Sequence, residues 1–84
     1  MNNDLLPIFE LLNSVFQDVF DDDDLVVESV TTAQDVDGWN SLAHIRLMVS
    51  IEKAFKLRFS AAEISSLKNV GDMAALILRK RTGG

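Results

Sequence analysis

From Leu5 onward the apolar side chains fall at Leu5, Ile8, Phe9, Leu12, Val15, Phe16, Val19 and Phe20. Steps of three and four keep one face of a helix apolar for about four turns. Asp4 is placed to cap the start, and Pro7 is tolerated because a first-turn N–H has no intrahelical acceptor. Four consecutive aspartates, Asp21 to Asp24, end the pattern near Phe20, repelling one another and opposing the negative end of the helix dipole. A second helical pattern follows Ser41 and has two faces. Leu47, Met48, Ile51 and Phe55 share one, extended toward the N-terminus by His44. Ser41, Leu42, Ile45, Arg46, Val49, Glu52 and Lys53 lie on or beside the other. Ser60-Ala61-Ala62-Glu63 has the form of a capping box and opens a short helix to about Leu67. Asn69 caps a last helix with the stripe Val70, Met73, Ala74, Ile77 and Leu78; Arg79, Lys80 and Arg81 complement its C-terminal dipole. Thr82-Gly83-Gly84 is expected to fray.

Residues 21–40 form a connection that is long for so small a domain, and such connections are often functional. Leu25, Val26, Val27 and Val30 have strand propensity, but no second strand exists to pair with them, and a lone strand is not stable. The expectation is an ordered loop pinned against the bundle by these four side chains. The fold class predicted is all-α: a four-helix bundle of three longer helices and one short third helix, with a long loop between helices 1 and 2, in one domain over residues 1–84.

Composition narrows the chemistry. Nearly half of the 84 residues are apolar and none is cysteine, so a core is within reach while disulfides and thiolate metal sites are excluded. No apolar run of membrane-spanning length and no basic leader occur, which predicts a soluble cytoplasmic protein. The net charge of −5 conceals a split. Residues 1–40 hold ten acidic side chains and no Lys or Arg, whereas residues 41–84 hold three acidic and eight basic ones. Neither half suits nucleic acid: the first lacks cations, and the second scatters them with no aromatic platform among them. The aspartate run is read as a solvated loop, because Asp35, Asp37 and Gly38 do not place glycine and glutamate where a calcium loop needs them.

The candidate chemistry lies in Asp37-Gly38-Trp39-Asn40-Ser41-Leu42, at the start of the second helix. Gly38 suits a turn, and Asn40 or Ser41 can cap the first free N–H groups. A hydroxyl placed there is exposed and sits in the positive end field of the helix, which favours an attached anion such as a phosphate ester. A nucleophilic role for Ser41 would need a base, and His44, the one histidine, shares its face one turn on. No Gly-x-Ser-x-Gly elbow surrounds the serine, and so small a chain leaves little room for a substrate pocket, so no catalytic residue is assigned. His44 is read as a half-buried packing residue with its polar edge toward the loop, or as the lining of a cavity for a bound chain. Leu42, Ile45 and Val49 show more apolar surface than one core needs; they either pack under the long loop or form a partner site.

Gly38-Trp39-Asn40-Ser41-Leu42 before Ala43-His44-Ile45-Arg46-Leu47-Met48-Val49-Ser50-Ile51-Glu52-Lys53-Ala54-Phe55 resembles the 4′-phosphopantetheine attachment motif of acyl and peptidyl carrier proteins. The resemblance extends from the first amphipathic helix to Leu78. It implies that a phosphopantetheinyl transferase takes the arm from coenzyme A and joins it to Ser41 as a phosphodiester. The thiol of the arm would then hold an acyl or aminoacyl group as a thioester, passed from a loading enzyme to a downstream acyltransferase or synthase. The carrier itself would be a monomer with no catalytic group and no metal. Trp39, Asn40, Leu42, Ile45, Arg46, Val49 and Lys53 are the candidate partner-recognition residues; for Trp39 the alternative is anchoring the loop to the core.

Two departures from the family pattern stand out. Asn40 occupies the place where the family mostly has Asp, which keeps the capping oxygen and loses the charge. Ala43, Arg46 and Lys53 stand where carriers of fatty acid synthesis have acids. These departures point to a dedicated pathway: aminoacyl or peptidyl loading, polyketide-type assembly, or modification of a surface polysaccharide. The alternatives are a non-covalent adaptor of the same fold without an arm and, from the terminal Gly83-Gly84, a ubiquitin-like carrier, which helical periodicity opposes.

Overall fold

The computed structural model describes residues 5–83, the last two by backbone alone. It contains α1 (Leu5–Val19), a 3₁₀ turn (Ala33–Asp35), α2 (Ser41–Phe55), the short α3 (Ala61–Ser66) and α4 (Val70–Gly83), with no strand among the described residues. The all-α bundle expected from the periodicity is the observed fold. The cap expected at Asp4 lies outside the described residues. α1 buries Ile8, Leu12, Val15 and Phe16, and packs against both α2 and α4. Leu47, Met48 and Ile51 of α2 meet Val70, Met73, Ala74 and Ile77 of α4 in one core. A fully buried side chain of this size contributes about 1.5–3 kcal/mol.

Helix ends are set by backbone chemistry as much as by charge. Asp21 adopts the left-handed conformation (φ 52°), and the Asp22 N–H donates back to the Gln17 carbonyl at 3.0 Å. Aspartate tolerates that conformation better than most residues, so the first residue of the acidic run terminates α1. Lys56 ends α2 in the same way (φ 58°), with the Leu57 N–H donating to the Glu52 carbonyl. The Ser60–Glu63 capping box opens α3, and Asn69 caps α4 by accepting from the Asp72 N–H at 2.8 Å. The Ser60 backbone N–H on its carboxylate, aided by Lys80, holds Glu63 below the usual pKa of a glutamate.

The long loop is ordered, but not by the four side chains expected to pin it. Val27 is buried and Leu25 half-buried, whereas Val26 and Val30 remain 68% and 73% exposed. The loop has no strand partner, so its polar backbone groups must be met from elsewhere. α1 meets them with two amide side chains one turn apart. Asn13 accepts from the Val27 N–H at 2.7 Å, and Gln17 donates to the Leu25 carbonyl at 2.9 Å. Further on, the carbonyls of Ser29 and Thr31 accept from the Gly71 and Val70 amides at the start of α4. Those two amides belong to the first turn, where a helix supplies no acceptor. Backbone pairing therefore decides which valines turn inward. Val36 completes the anchoring just before the site.

Two variants test this account. Asn13→Ala leaves the Val27 N–H without its acceptor and is expected to cost about 1–3 kcal/mol. At Gly71 an added Cβ would lie 2.7 Å from the Ser29 carbonyl oxygen, so Gly71→Ala forces the loop off α4. It is expected to cost about 1–3 kcal/mol. Either loss lowers the thermal midpoint by roughly 4–8 °C per kcal/mol in a domain of this size. Melting curves that match the unaltered protein would exclude the clamp.

Candidate functional site

The loop enters α2 through a tight sequence of turns. Gly38 has φ 85°, a conformation that a side chain would strain, and its carbonyl accepts from the Asn40 N–H at 3.0 Å. Asn40 is extended and is the N-cap: its Oδ1 accepts from the Ala43 N–H at 2.9 Å, and its carbonyl takes the first helical bond from the His44 N–H. Ser41 is therefore the first residue of α2. It is exposed, and its hydroxyl takes no hydrogen bond among the described residues. The amides of Ser41 and Leu42 belong to the turn that a helix leaves without acceptors, so an anion on this hydroxyl meets free N–H groups and the positive end of the dipole.

Trp39 is turned into the molecule. Its ring packs edge-on against Phe16 at 5.2 Å, lies 6.2 Å from Phe20, and stacks on His44. Its Nε1–H donates to His44 Nδ1 at 3.0 Å, and His44 Nε2 lies 3.2 Å from the Ile64 carbonyl oxygen of α3. An indole N–H only donates, so Nδ1 must accept and Nε2 must carry the proton; the network assigns this neutral tautomer. Both ring nitrogens are thus engaged away from Ser41, and the serine–histidine pair is no hydrolytic dyad. His44 has its polar edge toward the loop and also lines a groove. The groove, of about 500 Å³, runs from Ser41 between α2 and α3, past Trp39, His44, Ile64, Leu67 and Met73. Sequence periodicity did not bring the α3 and α4 walls to this place. The Trp39–His44 bond was within reach of it, since a tryptophan just before a helix and a histidine in its first turn are natural neighbours.

On the outer face of α2, Leu42, Ile45 and Val49 are 72%, 55% and 43% exposed, so they do not pack under the loop. Arg46 and Lys53 are exposed beside them. Glu52 is half-buried, its carboxylate accepting from the Phe59 N–H at 2.9 Å. Among the described residues no group of three His, Cys, Asp or Glu side chains is placed to hold a metal, and no helix is long and apolar enough to cross a membrane.

A family model described as the phosphopantetheine attachment site matches residues 12–77. The chain is also similar to a holo acyl carrier protein from Geobacter metallireducens, solved by solution NMR. Identity is 43%, with 92% of this chain and 88% of that one covered and a TM-score of 0.85. No curated protein matches. Carriers of this kind are not enzymes, and their prosthetic group is 4′-phosphopantetheine. The residues present fit that group: a free hydroxyl at a capped helix start, bordered by a groove and by an exposed apolar ridge. The match across most of the chain, and the likeness of its fold to a holo carrier, make this protein a member of the phosphopantetheine-attachment family of acyl and peptidyl carrier proteins.

Proposed function

We propose that Ser41 is the attachment point of the phosphopantetheine arm, and that the protein carries acyl or aminoacyl groups between the enzymes of a dedicated biosynthetic pathway. The observation that carries this reading is the exposed, unbonded Ser41 hydroxyl at the first position of α2. When bound, the arm supplies the thiol on which the carried group is held as a thioester. The protein's own residues position that arm. The Asn40 cap and the Trp39 anchor fix the start of α2, and the first-turn amides favour the phosphodiester anion. Asn40 fills the capping role without a charge, so the attachment site keeps its geometry while offering less attraction to a cationic transferase.

Leu42, Ile45, Arg46, Val49 and Lys53 form the face that partner enzymes recognise, next to the arm and open to solvent; Trp39 and Asn40 shape its upper edge. The partners are the phosphopantetheinyl transferase, a loading enzyme, and a downstream acyltransferase or synthase, met by a monomeric carrier in the cytoplasm. A helix whose exposed charges are basic suits enzymes other than those that read an acidic α2. This supports aminoacyl or peptidyl loading, polyketide-type assembly or polysaccharide modification over housekeeping fatty acid synthesis.

Incubation with coenzyme A and a broad-specificity phosphopantetheinyl transferase should raise the intact mass by one phosphopantetheinyl group, and Ser41→Ala should abolish the gain. An unchanged mass for the unaltered protein would leave a non-covalent adaptor as the function. Asn40→Ala removes the cap and should cost about 1 kcal/mol in urea melts. Its mass gain should be slower than that of the unaltered protein, because the helix start that presents Ser41 frays.

A further inference from the structure

Four cations lie along α2 and the loop that follows it: Arg46, Lys53, Lys56 and Arg58, all exposed and none in an ion pair among the described residues. We propose that they frame a docking surface for an acyl-handling enzyme whose own contact face is acidic around an apolar groove. This inference rests on Ser41 being the attachment point and adds the sign of the partner.

Three observations carry it. At 100° per residue, Leu42, Ile45, Arg46, Val49 and Lys53 fall within roughly 100° of arc, opposite the buried Leu47 and Ile51. The apolar ridge, Arg46 and Lys53 thus form a single strip, which descends roughly 18 Å from Ser41 to Lys53 at 1.5 Å per residue, and Lys56 and Arg58 continue it around the depression that Val49 and Lys53 line. Second, the cations stay unpaired. Glu52, the one acid in α2, borders the same depression as Val49, Lys53, Lys56 and Arg58, but its carboxylate accepts from the Phe59 N–H and pairs with none of them. A surface that leaves four cations unpaired in a protein of net charge −5 has not used its own carboxylates to neutralise them. Third, Ser41 heads the strip, so a protein bound along it has the arm beside its contact face.

Complementary charge steers the encounter and fixes its register, while the apolar ridge supplies the contact that persists. An anionic bilayer fits less well: the ridge has no aromatic anchor, and the strongly acidic first forty residues repel such a surface.

The test places a photo-crosslinking residue at Val49 of the holo protein in cells of its source, with a control at Glu10 on α1. Crosslinked peptides are mapped on the captured protein, which is then purified and assayed for acylating or deacylating the holo carrier. The expected partner does so, and its crosslinked surface is bordered by Asp and Glu. Arg46→Glu with Lys53→Glu should slow the reaction roughly tenfold at low salt, a difference that shrinks as salt is added. Arg46→Lys with Lys53→Arg should retain the rate. The melting temperature of each variant should match the parent, since these side chains are exposed and unpaired.

Crosslinks to a basic surface, to a second copy or to lipid would overturn the proposal. So would crosslinking no stronger than at Glu10, or equal rates for the charge-reversed protein. The intact mass of the recovered carrier separates the two layers: a protein unmodified at Ser41 sinks the attachment reading, whereas a modified one without an acidic partner sinks only this inference.

Discussion

The indole of Trp39 holds three elements in register. Its ring lies against Phe16 of α1, its N–H reaches His44 of α2, and through the far side of that imidazole the chain of contacts arrives at the Ile64 carbonyl of α3. Apart from this junction, the start of α2 is set by the buried Val36, the turn at Gly38 and the Asn40 cap. With it, the backbone on either side of Ser41 is fixed from the core outward while the serine side chain stays in water. A half-buried polar network of this kind is stabilising when every member is satisfied, and here each nitrogen has its partner. Among the described residues no buried side-chain nitrogen or oxygen lacks a hydrogen bond.

The helices were legible because one-sided burial leaves a periodic trace. The stripes of α1 and α4 and the caps Asn40, Ser60–Glu63 and Asn69 stand where the sequence predicts them. The loop was not legible, for a physical reason. Its hydropathy marks four apolar side chains as alike, yet a chain with no strand neighbour turns inward only where its backbone is met. Asn13 and Gln17 meet it at Val27 and Leu25, and nothing comparable serves Val26 or Val30. Asn13 and Gln17 read in sequence as ordinary polar positions beside an apolar stripe. Glu52 is a similar case: it reads as an outward-facing charge and instead accepts from a backbone amide across the bend after α2.

A protein without catalytic groups must express its function through presentation, and the distribution of charge and burial here is consistent with that demand. The acids gather in the first half and the cations in the second, so the surface of α2 differs in sign from the chain as a whole. Apolar side chains that a self-contained fold would hide stay in solvent at Leu42, Ile45 and Val49. Their exposure forgoes the stabilisation that burial would give. Ser41 itself contributes nothing to the core, so its identity is free to be set by chemistry at the surface.

The groove beside Ser41 is built from walls of unequal strength. Trp39, His44 and Met73 belong to the core or are locked to it, and they move only if the bundle opens. α3 is different. Six residues are too few to be helical alone, and none of its side chains is buried. It is held by its capping box, the His44 contact, the Glu63–Lys80 ion pair at 3.0 Å and the half-buried Ile64. An ion pair at the surface adds little to this, because water and salt screen it. Among the walls of the groove α3 is therefore the least firmly held, and it faces Ser41 across the groove.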